Sequence, residues 1–448
     1  MSSSSLRDFD FEHVPENYGS SFGNALEKAR NGERLSVDDG VQLITTGTDV
    51  EGIDEDRKEK VLGAADERRR EIVGDEVTFV ANINNNVTTA CDTGCLFCNF
   101  KDPSEAFEVG NEGRGFTKTP DESREIVEDA VEMGVYEVCS VSGLHPAFAL
   151  DDEHREILES STDDGVRYVP TTEYTKSPGT YVEQIEAMDV GGVHVHSMTP
   201  EEAAHAKRGT DWSYEDVYTR LRDAGLDSAP GTAAEILVDE VREVICPNKI
   251  GTQGWIDAIE GAVSAGLGVT ATIMYGHVEN EAHRVLHLKR VRDLQDSTGG
   301  ITEFVPLSFV HENTPLYERG FVESGASDDE DELLFAVSRL FLDNIDNIQT
   351  SWAKFGDQKA LRMLDCGAND FMGTLLSEEI TKRAGGDYGE FRSFDDYVEM
   401  IESIGRVPVE RSTDYSEKRY FENGDDDGDG LPPYGPRLGP QADGTPLI

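Results

Sequence analysis

Runs of β-branched and apolar residues alternate with stretches of helical periodicity along most of the chain, starting at residue 77. Strands are predicted over 77–84, 135–141, 166–170, 192–196, 269–275, 302–310 and 345–350. The segments between them have helical spacing, notably 121–132, 215–224, 234–245, 255–265, 281–295 and 332–342. Such alternation predicts a parallel sheet with helices outside it, because parallel strands need crossover connections. The stretch 77–352 suits a closed or partial (β/α) barrel, which typically has about 250 residues, so the fold class is α/β.

The two flanks of this stretch have different patterns. Short helical segments over 25–29, 37–43 and 54–70 predict a helical N-terminal lead-in that occupies 1–76. The segment 353–420 is less regular, with helices predicted over 375–383 and 393–404, and we expect it to pack on the barrel as a C-terminal extension. The acidic, Pro- and Gly-rich end, 421–448, is predicted to be a disordered tail.

The charge balance restricts the possible partners. Of the 448 residues, 90 are Asp or Glu and 40 are Lys or Arg, which gives a formal net charge of -50. Such a surface disfavours nucleic acids and anionic membranes, and it indicates a high-salt cytoplasm in which repulsion is screened. Because no stretch approaches the roughly 20 apolar residues of a membrane span, we expect a cytoplasmic protein with no membrane contact.

Three cysteines just after the first predicted strand carry the strongest chemical signal. Cys91, Cys95 and Cys98 form a C-x3-C-x2-C spacing, and active sites of (β/α) barrels lie at the carboxyl ends of the strands. A 4Fe-4S cluster normally takes four cysteine ligands. A trio without an obvious fourth cysteine therefore predicts a cluster with one open iron, which a substrate or cofactor could bind.

Other readings of the cysteines are weaker. Structural zinc takes four protein ligands, usually with a second Cys/His pair at short range, and no such pair follows here. An electron-carrier ferredoxin would repeat the motif with a fourth cysteine, and six cysteines in so long a chain do not form a disulfide framework. A noncatalytic iron-sulfur or zinc protein remains the alternative from another class.

The trio, with the aromatic Phe97 before its last cysteine, resembles the CxxxCxxC signature of the radical S-adenosylmethionine (SAM) superfamily. The resemblance implies a radical SAM type of barrel with SAM on the open iron. An external one-electron reductant would then be needed to produce a 5'-deoxyadenosyl radical.

The same resemblance implies further cofactor contacts at two strand ends. Ser142 and Gly143, after the second predicted strand, would face the methionine amine, and the small Gly143 would permit close approach. The segment 272–279 resembles the GxIxGxxE pattern that contacts adenine through backbone, which implicates Thr272, Tyr275 and Gly276.

Glu235 is the most interesting carboxylate, because it falls in the first turn of the helix predicted over 234–245. It could hold a ribose hydroxyl or a substrate amine, or it could simply compensate the helix dipole. His194 and His196 alternate along one strand and should share a face, where a hydrogen-bonded polar pair is commoner than a ligand pair. The remaining cysteines, Cys139, Cys246 and Cys366, are interpreted as core thiols.

Three longer segments, 226–242, 270–279 and 302–311, resemble signatures of the second-subunit family of FO synthases. That resemblance implies radical cleavage of the Cα–Cβ bond of L-tyrosine and transfer of its 4-hydroxybenzyl group to the uracil ring of 5-amino-6-(D-ribitylamino)uracil. 2-Iminoacetate would be the coproduct, and the first FO synthase subunit would be the functional partner on the route to coenzyme F420. A sister radical SAM enzyme of the futalosine route to menaquinone is the nearest alternative.

Overall fold

Parallel strands form the centre of the protein in the computed structural model, which describes residues 20–48, 53–91, 93–102, 115–161, 166, 168–169, 176–374 and 394–421. The first seven strands are β1 Glu76–Val80, β2 Asn82–Asn84, β3 Glu137–Ser140, β4 His194–Ser197, β5 Ser228–Ala229, β6 Gly268–Tyr275 and β7 Ile301–Ser308. Strands β2 to β7 lie in one six-stranded sheet in chain order, and every pairing within it is parallel. The predicted α/β class with a curled parallel sheet is confirmed.

Residues near the C-terminus connect the two ends of this sheet. Phe304 of β7 forms a bridge with Ile348, Gln349 forms a bridge with Asp370, and β8 (Asp370–Gly373) pairs in parallel with β1. Because β1 and β2 are one run interrupted only at Ala81, these pairings bring the sheet round to its first strand. Two further strands, β9 (Val407–Arg411) and β10 (Lys418–Tyr420), extend the structure from the other edge of β1.

Helices cover the outside of the sheet and precede it. Their bounds are α1 Phe22–Arg30, α2 Val37–Ile44, α3 Glu55–Val73, α4 Pro120–Glu132, α5 Asp152–Ser160, α6 Tyr181–Met188, α7 Pro200–Ala206, α8 Tyr214–Asp223, α9 Asp239–Ile245, α10 Thr252–Ser264, α11 Glu281–Thr298, α12 Pro315–Glu318, α13 Asp328–Phe341, α14 Trp352–Phe355, α15 Asp357–Leu364 and α16 Phe394–Ser403.

The three lead-in helices were predicted, and their starts have a local cause. The side chains of Ser21, Ser36 and Asp54 each accept a hydrogen bond from a backbone amide in the first turn that follows. Helices α2 and α3 then pack against α11 and α13 on the outside of the barrel. The lead-in is therefore attached to the barrel through α11 and α13.

Several predicted elements differ from the structure. The described residues of the predicted strand 166–170, which are Val166, Tyr168 and Val169, do not form a strand, and the predicted strand 345–350 is reduced to two single bridges. The helix predicted over 234–245 begins only at Asp239, so the placement of Glu235 in a first helical turn is wrong. Strand β5 was not predicted.

Other predictions fall wholly or partly outside the residues that the structure describes. The helix predicted over 375–383 and the tail from 422 onward lie outside them. Within the segment 353–420, β8 and β9 both pair with β1, so this extension is part of the barrel wall. The domain boundaries themselves stay a prediction.

Candidate active site

The cysteine trio lies in the loop after β2, at the carboxyl end of the first strand, as predicted. Contacts from distant parts of the chain hold this loop in place. The amide of Leu96 donates to the carbonyl of Ile245 at 2.8 Å, and the carbonyl of Leu96 accepts from the amide of Leu316 at 2.9 Å. The side-chain amide of Asn248 donates to the carbonyl of Thr93 at 2.8 Å. The loop is therefore held by the end of α9 and the residues after it on one side, and by α12 on the other.

All three thiols are free and line one cavity of about 230 Å³, which we call the upper chamber because it lies at the carboxyl ends of the strands. Burial raises the pKa of the Cys95 thiol well above its usual range, although Lys249 opposes this shift, and burial also raises the pKa of Cys98. Such thiols become thiolates when a metal takes them as ligands. The donor set fits iron, which accepts thiolate ligands readily.

A site for a single metal ion would need several ligating side chains close together. Among the residues that the structure describes, no group of three or more His, Cys, Asp or Glu side chains is placed to hold one ion.

Ser142 and Gly143 line the upper chamber beside the cysteines. A Cβ on Gly143 would lie 2.5 Å from the carbonyl oxygen of Ala90, so a glycine is required there by the backbone that leads into the cysteine loop. The hydroxyl of Ser142 accepts a 2.7 Å hydrogen bond from the amide of Val87. The pair thus shapes the cysteine loop, which sequence reasoning did not anticipate, while its contact with the methionine amine stays a prediction.

Glu235 also reaches the upper chamber, from the loop between β5 and α9. Its φ of 48° is left-handed, an uncommon conformation for a non-glycine residue, and Ala233 has a φ of 76°. The Oε1 atom of Glu235 lies 2.7 Å from Nζ of Lys249, and the two side chains are only 10% and 9% exposed. Burial alone would lower the pKa of Lys249, but Glu235 and other acidic groups raise it well above its usual range. The lysine is charged, and the carboxylate has a buried counterion rather than a helix dipole.

The three residues of the adenine-contact prediction lie outside the upper chamber, and their contact with adenine stays a prediction. Thr272 lies deeper in the barrel, where its hydroxyl donates to the carbonyl of Gly231 at 3.1 Å. The buried hydroxyl of Tyr275 donates to Asp331, and the amide of Gly276 donates to Glu279 at 2.6 Å. Tyr275 and Gly276 line neither the upper chamber nor the cavity below it. The motif builds a turn, in which Glu279 holds the backbone and pairs with Arg284 at 2.8 Å.

Comparison with known proteins agrees with this geometry. A sequence model of the radical SAM superfamily matches residues 85–291, and a model described as the CofH/MqnC C-terminal region matches residues 298–423. A curated relative from Haloarcula marismortui, named 5-amino-6-(D-ribitylamino)uracil--L-tyrosine 4-hydroxyphenyl transferase, is 68% identical over 98% of this chain and 96% of its own length. The chain belongs to this transferase family.

Other members of the family are similar over nearly the same span. The transferase of the same name from Halobacterium salinarum is 64% identical over 98% of this chain and 96% of its own length. Membership of the radical SAM superfamily implies a 4Fe-4S cluster and SAM.

Solved structures support the fold alone. Methylornithine synthase PylB covers 86% of this chain and 97% of its own, with a TM-score of 0.59 and 19% identity. The hydrogenase maturase HydG from Carboxydothermus hydrogenoformans covers 88% of this chain and 80% of its own, with a TM-score of 0.60 and 15% identity. Among the described residues, no helix is both long and apolar enough to cross a membrane.

Several chamber residues of this family member were missed by sequence reasoning. Lys249, Glu201, Lys101, Thr199, Met274 and Lys354 all line the upper chamber. Two of them carry a local signal, because Lys101 lies three residues after the cysteine trio and Met274 lies within the segment 272–279. The others come from loops and helices whose proximity is decided by the fold.

His194 and His196 share a face, as predicted, and both bind the hydroxyl of Ser228 at 2.7 Å. His196 lines a second cavity deeper in the barrel, and burial lowers the pKa of its imidazole to about 4, so it is neutral at neutral pH. Cys246 and Cys366 are buried core thiols as predicted, whereas Cys139 is half-buried and lines the deeper cavity.

Proposed function

We propose that this protein cleaves the Cα–Cβ bond of L-tyrosine and transfers the 4-hydroxybenzyl group to 5-amino-6-(D-ribitylamino)uracil. 2-Iminoacetate, methionine and 5'-deoxyadenosine are the other products, and the reaction is a step in the formation of the deazaflavin FO. The observation that carries the proposal is the 68% identity, over almost the full chain, to a relative with that transferase name. The cysteine-lined chamber at the carboxyl ends of the strands supports the same reaction class.

Cys91, Cys95 and Cys98 are the residues that would hold the 4Fe-4S cluster, and three protein ligands leave one iron for SAM. When bound, the cluster supplies the electron that cleaves SAM to methionine and a 5'-deoxyadenosyl radical. The chain itself contributes the enclosure. The loop that carries the cysteines is anchored at Leu96 and Thr93, and the apolar side chains of Phe97, Met274 and Phe309 keep water from the chamber.

Charged groups around the upper chamber orient the ligands. Lys249 and Glu235 form a fixed pair at the wall, so the carboxylate is held ready for a ribose hydroxyl or an amine while the ammonium remains beside the cysteines. Ser142 and Gly143 present backbone beside the cysteine loop, where they would meet the amino acid end of SAM. Preorganised groups of this kind stabilise bound charge without further rearrangement.

The proposal extends to the partners of the reaction. An external one-electron donor must reduce the cluster, and the first FO synthase subunit would use the product to close the deazaflavin ring. The excess of acidic residues supports a cytoplasm of high salt as the compartment.

Anaerobic turnover tests the proposal. Protein reconstituted with iron and sulfide is incubated with dithionite, SAM and tyrosine, with and without the ribitylaminouracil, and the products are separated by mass. We expect the 4-hydroxybenzyl adduct only when both substrates are present. If 5'-deoxyadenosine forms without the adduct, the transferase assignment is refuted and the futalosine-route alternative is favoured.

Single cysteine variants provide the matched control for the cluster assignment. Cys91→Ala, Cys95→Ala and Cys98→Ala are each expected to abolish formation of 5'-deoxyadenosine, because none can hold a complete cluster. Cys366→Ala changes a buried thiol remote from the chamber and should retain it. Retention in any of the first three variants would contradict the assignment.

A further inference from the structure

A second cavity lies below the upper chamber along the barrel axis. It has a volume of about 210 Å³, and we call it the lower chamber because its side chains come from nearer the amino ends of the strands. On β7, Glu303 and Val305 line the lower chamber, Leu307 lines both chambers, and Ser308 lines only the upper one. Val141, Thr232 and Lys354 also line both chambers, so the two cavities lie next to each other in the barrel interior.

The floor of the lower chamber is built by the end of β9 and the residues that follow it. The guanidinium of Arg411 pairs with Glu303 at 3.0 Å and with Asp370 at 2.7 Å, and the hydroxyl of Thr413 donates to Glu137 at 2.5 Å. Each carboxylate at the floor thus already has partners in the protein. The charged side chains that line the lower chamber are two acidic, Glu137 and Glu303, and two basic, Arg411 and Lys354, so the wall offers no net positive charge to a ligand carboxylate.

Neutral hydrogen-bonding groups on the wall have no such partners. The side-chain amide of Asn86, the Nε2 atom of His196 and the hydroxyl of Ser351 have no hydrogen-bond partner among the described residues. All three residues line the lower chamber and are at most 7% exposed. Buried polar groups are nearly always hydrogen-bonded, so unpaired groups that converge on one cavity indicate a ligand.

We propose that the lower chamber binds the ribityl chain of the uracil substrate. This inference rests on the proposed function and assigns a place to one part of its acceptor. The four hydroxyls of a ribityl chain are neutral and can both donate and accept, which matches the unpaired amide, imidazole and hydroxyl groups. The acceptor's ring must lie near the upper chamber, where the 4-hydroxybenzyl group is released, so its non-reacting chain extends away from the cysteines.

The amino acid end of tyrosine stays in the upper chamber under this assignment. Three lysines, Lys249, Lys101 and Lys354, line the upper chamber against two acidic side chains, whereas acidic and basic side chains are equal in number in the lower chamber. The combined volume of the two chambers lies within the roughly 300–1,000 Å³ typical of small-molecule sites.

Equilibrium binding tests this assignment without turnover. The dissociation constants of tyrosine, of 5-amino-6-(D-ribitylamino)uracil and of an analogue with an unsubstituted alkyl chain are measured on reconstituted protein with SAM. The proteins compared are the wild type, Ser351→Ala, Asn86→Ala and the control Ser403→Ala, whose serine is exposed on α16. Near-ultraviolet circular dichroism establishes that each variant is folded.

We expect each chamber variant to weaken binding of the ribityl compound about tenfold, as the loss of one buried hydrogen bond implies. Binding of tyrosine and of the alkyl analogue should change less than twofold, and Ser403→Ala should change nothing. Weaker tyrosine binding instead would place the phenol in the lower chamber and overturn the inference, as would unchanged binding of all three compounds. Failure of the proposed function is distinguishable, because the wild type would then form no adduct whatever the chamber binds.

Discussion

Replacing Lys249 by methionine removes the buried counterion of Glu235 and keeps most of the side-chain volume. In the wild type the two charged groups are 2.7 Å apart and about nine-tenths buried. The same lysine also lowers the pKa of the nearby carboxyl of Glu201, which burial otherwise raises. The substitution therefore leaves two acidic side chains in a closed space without their cation.

The expected cost follows from that burial. Removing one partner of a buried ion pair destabilises a protein by about 3–5 kcal/mol, because the remaining charge is desolvated and unpaired. An exposed pair contributes only about 0–1 kcal/mol. Lys289 and Asp293 form such a pair on α11, with side chains 43% and 53% exposed, so Lys289→Met is the matched control. The double variant Lys249→Met/Glu235→Gln should recover much of the loss, since a neutral amide needs no counterion.

Urea unfolding of the protein without its cluster, at one fixed salt concentration, measures these free energies by linear extrapolation. The account predicts a loss of about 3–5 kcal/mol for Lys249→Met, below about 1 kcal/mol for Lys289→Met, and partial recovery in the double variant. A loss for Lys249→Met no larger than the control, or no recovery in the double variant, would refute the reasoning.

Three other substitutions test the cysteine loop and the lead-in. Gly143→Ala should cost about 1–3 kcal/mol of unfolding free energy and lower the iron content after reconstitution, because its Cβ would meet the carbonyl of Ala90 at 2.5 Å. Gly63→Ala, in α3 with open space around it, should be neutral or stabilise by up to about 1 kcal/mol, and equal effects of the two would contradict the steric argument. Burial alone would raise the pKa of Asp39, but hydrogen bonds from Lys28 and other donors lower it to about 2 in the folded protein. Its stabilisation is therefore complete above its usual pKa of 3.8 and is lost as the pH falls toward 2. The difference in unfolding free energy between wild type and Asp39→Asn should be constant from pH 5 to 7 and shrink below pH 4, and a difference that grew with acid would contradict the sign.

The parts of the site that could be predicted from sequence depend on local spacing. The trio Cys91, Cys95 and Cys98 carries its spacing in eight consecutive residues, and the β-branched run before it predicts a strand directly. The position of the trio at the carboxyl end of the sheet then follows from the barrel.

Glu235 was misplaced because long-range contacts decide its backbone. The segment before α9 has helical composition, yet the amide of Leu237 donates to Nδ1 of His287 at 3.0 Å, and the guanidinium of Arg242 donates to the carbonyl of Ala234. These contacts hold 233 and 235 at positive φ and delay the helix to Asp239. Periodicity cannot report the contact with His287, which comes from a helix 50 residues away in the chain.

The lower chamber has no sequence signal for a similar reason. The three unpaired side chains, those of Asn86, His196 and Ser351, come from separate parts of the barrel wall. In a sequence, an isolated Asn or Ser is typical of a turn and does not indicate a binding site. Strand β5 is only two residues long, too short to show an alternation. Only the closure of the sheet by residues 348–373 brings these side chains around one cavity.

The central claim is that this chain breaks the Cα–Cβ bond of tyrosine and joins the benzyl fragment to the ribitylaminouracil. Anaerobic turnover with tyrosine carrying one isotope at the β-carbon and another at the α-carbon tests it most directly. The account predicts that the β-carbon label appears in the uracil adduct and the α-carbon label in 2-iminoacetate or the glyoxylate formed from it by hydrolysis. Both labels in one product, or an adduct without the β-carbon label, would contradict the claim.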